Sequence, residues 1–147
     1  MINLLPYLRD KVVSDTPLST LLSSYKDSKA VFTRVPVPED AKYPMVVITG
    51  PTTDNELDFL DCSQMREVTF QIVAYNENDS AEDYRTCESI AYRLNKIFHN
   101  MDTFALTLPS GVKLLKSSAS LPFAAPADDL QTVAKGIILT LKISTEY

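Results

Sequence analysis

The sequence predicts an α+β fold: a mixed, largely antiparallel sheet, with helices at the N-terminus and one long helix packed on one face. Three observations predict it. Residues 66–75 alternate apolar and polar side chains with period two, the pattern of a half-buried strand. Residues 80–98 carry an apolar stripe at helical spacing. Strand-like runs stand in blocks before and after that helix rather than alternating with helices one by one, which separates α+β from α/β.

Leu4, Leu5, Leu8 and Val12 recur at helical spacing over residues 3–13, with Asn3 placed to cap and Pro6 inside the tolerant first turn. A second short helix is signalled by Thr16 as cap and Pro17 at the first helical position, with Leu18, Leu21, Leu22 and Tyr25 on one face. Residues 30–33 read as a short strand. Pro36, Pro38 and Pro44 then remove backbone donors and exclude a helix or a central strand. Residues 45–49 form a compact apolar run, the mark of a buried strand, which Gly50-Pro51 is expected to end.

Within 66–75, Val68, Phe70, Ile72 and Ala74 share one face, and Glu67, Thr69, Gln71, Val73 and Tyr75 the other. Ser80 opens the long helix, with Asp83 three residues on in a near-capping box. Its stripe is Tyr84, Cys87, Ala91, Leu94 and Phe98, widened by Ile90 and Ile97, and His99 and Asn100 suit its end. Residues 104–108 and 112–115 flank Pro109-Ser110-Gly111, which predicts a hairpin. Residues 117–131 read as a loose connection. In the last strand, 133–144, Ile137, Leu139, Leu141 and Ile143 share one face, while Ile138, Thr140, Lys142 and Ser144 take the other. The expected core sets Val46, Ile48, Val68, Phe70, Ile72, Leu139 and Leu141 against Tyr84, Cys87, Ala91 and Leu94.

A length of 147 residues suits a single domain over 1–147 that needs no metal or disulfide to hold its core. Fourteen basic residues against nineteen acidic, a net charge of -5, argue against general nucleic-acid binding. Cys62 and Cys87 are too few for a disulfide framework and read as reduced thiols. No apolar stretch is long enough to span a membrane and no basic segment follows Met1, so no membrane partner and no secretion signal is expected, and the chain is expected to stay in the cytoplasm where it is made.

Catalytic equipment is missing. Gly50, Gly111 and Gly136 are the three glycines, too few and too dispersed for a phosphate-cradling loop. His99 sits at a helix C-terminus, a poor start for a Ser-His-Asp arrangement. Cys62, Cys87 and His99 lack the paired spacing of a zinc site. Glu39-Asp40 and Asp128-Asp129 are adjacent residues on extended chain that point opposite ways, not acid/base dyads. Phe70 and Tyr75 lie on opposite strand faces and make no base-stacking platform. No catalytic, cofactor-binding or metal residue is identified, no cofactor is expected, and the chain reads as a non-enzyme.

The order of these segments resembles the tail-completion and tail-terminator family of long-tailed bacteriophages and prophages, whose members join head to tail. The resemblance covers nearly the whole chain. After the leading helices come Val31-Phe32-Thr33-Arg34-Val35-Pro36 and then Tyr43-Pro44-Met45-Val46-Val47-Ile48, a proline followed by a buried strand. Arg66-Glu67-Val68-Thr69-Phe70-Gln71-Ile72-Val73-Ala74-Tyr75 is the alternating strand ending in an aromatic, with a helix at once from Ser80. Lys135-Gly136-Ile137-Ile138-Leu139-Thr140-Leu141-Lys142-Ile143 resembles the terminal basic-glycine strand. Met45, where an aromatic is expected, and the longer acidic segment before Arg66 depart from the pattern.

The resemblance implies a structural virion protein, assembled in the host cytoplasm and located in the tail or neck. It would form a homo-oligomeric ring, usually a hexamer, that stops tail-tube polymerisation and meets the head connector, with DNA passing through and no sequence read. Arg34, Val35, Pro36, Val37 and Pro38 are the candidate subunit contact, because a stiff backbone loses little entropy on docking. The segment 50–64 holds Asp54, Glu56, Asp58 and Asp61, no basic residue, and Leu57, Phe59 and Leu60. One reading is an extended hairpin. The favoured one is a loop that orders on binding, with Leu57, Phe59 and Leu60 against the tail tube and the acids facing the channel, repelling DNA phosphates. The alternatives are a small cytosolic enzyme or ligand-binding domain, or a generic oligomerisation module.

Overall fold

The structure, a computed structural model, describes residues 3–58, 64–102, 105–126 and 131–145, with the backbone alone at 57, 58 and 64. Helix α1 (Leu5–Ser14) forms because Leu4, Leu8 and Val12 fall on one buried stripe. Its N-cap position is Leu4, one residue later than predicted; Asn3 still contributes, its Oδ1 accepting from the Leu5 amide at 3.2 Å. Helix α2 (Thr16–Leu21) is capped by Asp15 rather than Thr16: the Asp15 carboxylate accepts from the Leu18 amide at 3.2 Å. Pro17 is consequently the second helical residue. The helix stops at Leu21, so Tyr25 is not on its face. Tyr25 belongs to β1 (Ser24–Tyr25), which pairs antiparallel with β2 (Ser28–Lys29), and its ring meets Phe32 edge-on at 5.2 Å.

The main sheet contains β3 (Val31–Phe32), β4 (Met45–Asp58), β5 (Gln64–Glu77), β6 (Val112–Ala119), β7 (Phe123–Ala124) and β8 (Thr132–Thr145). Its order is β3-β4-β5-β8-β6, with β7 also paired to β8. β3 and β4 run parallel and every other pairing is antiparallel, so the α+β class and the mixed, largely antiparallel sheet are as the sequence predicts. The long helix α3 (Ala81–Phe98) covers one face. Val68, Phe70, Ile72 and Ala74 of β5, with Ile137, Leu139, Leu141 and Ile143 of β8, are buried beneath Cys87, Ile90, Ala91, Leu94 and Phe98. A Cβ on Gly136 would lie 2.9 Å from Val73 Cγ2 and 3.0 Å from the Ile72 carbonyl, so the close approach of β8 to β5 there needs glycine.

Helix α3 starts as read. Ser80 Oγ accepts from the Asp83 amide at 3.2 Å, while the Asp83 carboxylate accepts from Asp79, one residue before the cap, also at 3.2 Å. Its end is also as read: His99 is the C-cap and Asn100 has φ 51, the left-handed conformation asparagine tolerates. The stripe begins one turn later than predicted, because Tyr84 is 38% exposed and carries the Lys135 ammonium 5.1 Å from its ring centroid.

Three further expectations are corrected. Gly50-Pro51 does not end β4. The register shifts between Thr49 and Thr53, and Gly50 at φ 134 carries the irregularity in a conformation other residues rarely adopt. Residues 50–58 are therefore strand, not loop. The hairpin across Pro109-Ser110-Gly111 does not form: residues 105–111 are turn and irregular chain, and β6 pairs with β8 instead, while Phe104 lies outside the described residues. Leu106 is buried and Leu108 packs on the core, so this segment contributes side chains rather than a ladder. Residues 117–119 complete β6 and Phe123–Ala124 pair with β8, so the stretch read as loose is partly strand.

Candidate assembly surfaces

The proline-rich segment leaves β3 and returns as β4 without regular structure. Its second half is tied down. The Ser23 amide donates to the Pro44 carbonyl at 3.0 Å, and the Tyr25 hydroxyl donates to Asp40 Oδ1 at 3.1 Å, which accounts for half of the Glu39-Asp40 pair. Ahead of these ties Val35 is 71% exposed. Val35, Pro36, Val37 and Pro38 wall a groove of about 530 Å³ floored by Met45, Val47 and Tyr75. Arg34 does not line it. That side chain lies with Arg9, Lys29 and Phe32 around a second depression of about 390 Å³, which Pro36 and Pro38 also border. Four of the five candidate contact residues thus share one apolar wall. In sequence Met45 and Val47 read only as part of a buried strand and Tyr75 as the second face of another; Val47 and Tyr75 each point away from the α3 side.

The acidic segment is an arm of the sheet. Glu56 stands directly across from Arg66 in the β4–β5 register. Arg66 Nη2 meets Glu56 Oε1 at 2.7 Å, and Arg66 Nε lies 3.8 Å from Asp54 Oδ1. Two of the four candidate channel acids therefore share a guanidinium from the neighbouring strand. The loop reading missed this because the segment itself holds no base; period-two spacing of Asp54 and Glu56 opposite Arg66 was the available signal. Leu57 and Asp58 end β4, but their side chains, and all of Phe59, Leu60 and Asp61, lie outside the described residues. From Thr53 to Asp58, β4 has β5 on one side and no other described strand on the other, since β3 reaches only Val46 and Val47.

His99 and Cys87 have structural employment. His99 Nδ1 accepts from the Ala119 amide at 3.1 Å, which ties the end of α3 to β6. Cys87 is fully buried, its thiol donating to the Ala74 carbonyl at 3.3 Å, and burial pushes its pKa up to about 11. Cys62 and Asp128-Asp129 lie outside the described residues. One acidic group was not singled out in sequence: Glu77, Asp79 and Asp83 bring carboxylate oxygens within 4.8 Å of one another. The bond from the Asp79 amide to Asp83 at the start of α3 accounts for two of the three. No helix among the described residues is long and apolar enough to cross a membrane.

Outward, then, the described residues present an apolar groove walled by prolines and an open strand edge, both on the β3–β4 side of a helix-backed sheet. No protein-family model matches the chain, and no curated protein sequence matches it. A solved structure does. The chain is similar to one in the "Virion of native gene transfer agent (GTA) particle", with a TM-score of 0.72 and 14% sequence identity over 96% of this chain and 94% of that chain. At that identity the likeness is one of fold.

Proposed function

We propose that this chain is a structural subunit of a phage-like virion. It forms a ring at the head-proximal end of the tail tube, stops tube polymerisation and joins the tail to the head connector. The observation that carries the reading is the end-to-end likeness of fold to a chain of a gene transfer agent virion, 96% of one on 94% of the other. The order of segments that resembles tail terminators supports the finer placement. The physical needs of such a subunit are a rigid body and two complementary flanks, and no reaction. A sheet backed on one face by α3, with an open edge and an apolar groove on one side, supplies the body and one flank.

The test is deletion of the gene from a phage or prophage that carries it, followed by electron microscopy of the particles. Tail tubes of uncontrolled length and heads without tails are expected. Particles of normal length and joining would overturn the role.

A further inference from the structure

The two edges of the sheet carry opposite charge on opposite faces. On the β4 edge, Asp54 and Glu56 pair in register with Val68 and Arg66, which places them on the face that α3 covers farther along. Two carboxylates share one guanidinium there, and the Glu56 side chain is 55% exposed. On the β6 edge the register sets Lys116 directly across from Lys142, and Lys113 across from Ser144. Leu141 and Ile143, the neighbours of Lys142 and Ser144, face α3, so these three lysines lie on the face turned away from it. Lys113 and Lys116 are exposed. Lysines placed opposite one another weaken a ladder. Glu67 offsets one of them, 3.8 Å from Lys142.

An edge strand open along one side invites pairing with another chain, and charge decides which chain is accepted. We propose that the lysine face of β6 in one copy of this chain overlaps the acidic β4 edge of the next, so that copies pack head to tail like shingles. The two patches sit at opposite edges and on opposite faces. One neighbour cannot satisfy both, so each copy uses one patch on either side, which is the heterologous contact that closes a ring or grows a filament. A twofold dimer would set each patch against its own kind or leave one unused. The occupant is a second copy because both halves of the complementary pair are present on every chain. The inference rests on the ring reading above and deepens it by naming the flanks.

The experiment is light scattering of the purified chain at low salt over a wide concentration range. The variants are Lys113→Glu with Lys116→Glu, and separately Glu56→Lys. Wild type is expected to assemble, and to do so less as salt rises. Each variant alone is expected to need at least roughly tenfold more protein, as loss of a close charge pair implies. An equimolar mixture of the two is expected to regain assembly, because every reversed patch then finds its complement. If a reversal variant is misfolded by circular dichroism, Lys113→Gln with Lys116→Gln and Glu56→Gln decide the matter: each should weaken assembly and flatten its salt dependence. Folded variants that assemble like wild type, or a mixture that stays dispersed, overturn the flank assignment and leave the ring standing. Wild type that remains monomeric at every concentration overturns both.

Discussion

At Asp15 one carboxylate caps α2 and also binds Arg93 of α3, with Oδ2 at 2.9 Å from Nε and Oδ1 at 2.8 Å from Nη2. The Arg93 hydrogen bond, helped by the Leu18 amide and opposed by partial burial, holds the Asp15 pKa below its ordinary 3.8. A carboxylate depressed by folding contributes stability that is present above its unfolded value and lost as pH falls through its folded one. Asp15→Asn keeps an acceptor for the cap and removes the charge. The variant should therefore be less stable than wild type at neutral pH. The gap should shrink as pH falls below 3.8. Urea midpoints at a series of pH values measure it, and a gap that stays constant down to strong acid contradicts the assignment. In sequence Asp15 and Thr16 are both good caps one residue apart. Arg93, far along the chain, breaks the tie.

Among the elements, β4 shows the largest difference between pattern and structure. Glycine followed by proline ordinarily marks a strand end. Here the chain continues because β5 offers a partner on the far side of the irregularity, from Thr53↔Thr69 to Asp58↔Gln64. β5 lies between β4 and β8 from Gln64 to Tyr75, whereas Thr53 to Asp58 has a described neighbouring strand on one side only. Amide hydrogen exchange of the unassembled chain should therefore be faster over residues 53–58 than over residues 66–74. Equal protection would mean that the β4 edge is already covered. The missing hairpin has a related cause. Pro109-Ser110-Gly111 is a sound turn signal, but a turn does not choose a partner, and β8 accepts β6 over seven register pairs.

For the whole molecule, a single apolar cluster joins α1, α2, α3 and the sheet. Phe70 stands in it at 1% exposure, in the strand between β4 and β8. Phe70→Ala should lower stability by about 3–5 kcal/mol, the range for removing a large buried aromatic. Chemical denaturation followed by both near- and far-ultraviolet circular dichroism measures it. A loss below about 1 kcal/mol would mean that the site collapses freely or that the side chain is not packed as described. Such a central position is readable in advance because Val68, Phe70, Ile72 and Ala74 in β5, and Ile137, Leu139, Leu141 and Ile143 in β8, recur with period two.

Local pattern was enough for the α+β class, the extent of α3 with its Ser80 cap and Asn100 end, and the inward faces of β5 and β8. Periodicity and capping depend on residues within a few positions of one another, so the chain states them directly. Tertiary structure decided the rest. It chose Asp15 over Thr16, carried β4 through Gly50, gave β6 to β8, placed Arg66 between Asp54 and Glu56, and gathered Val35 to Pro38 over Met45, Val47 and Tyr75. Each of these depends on which distant segment becomes a neighbour. That is settled by competition among long-range partners for one core and one ladder, a quantity no local window of sequence contains.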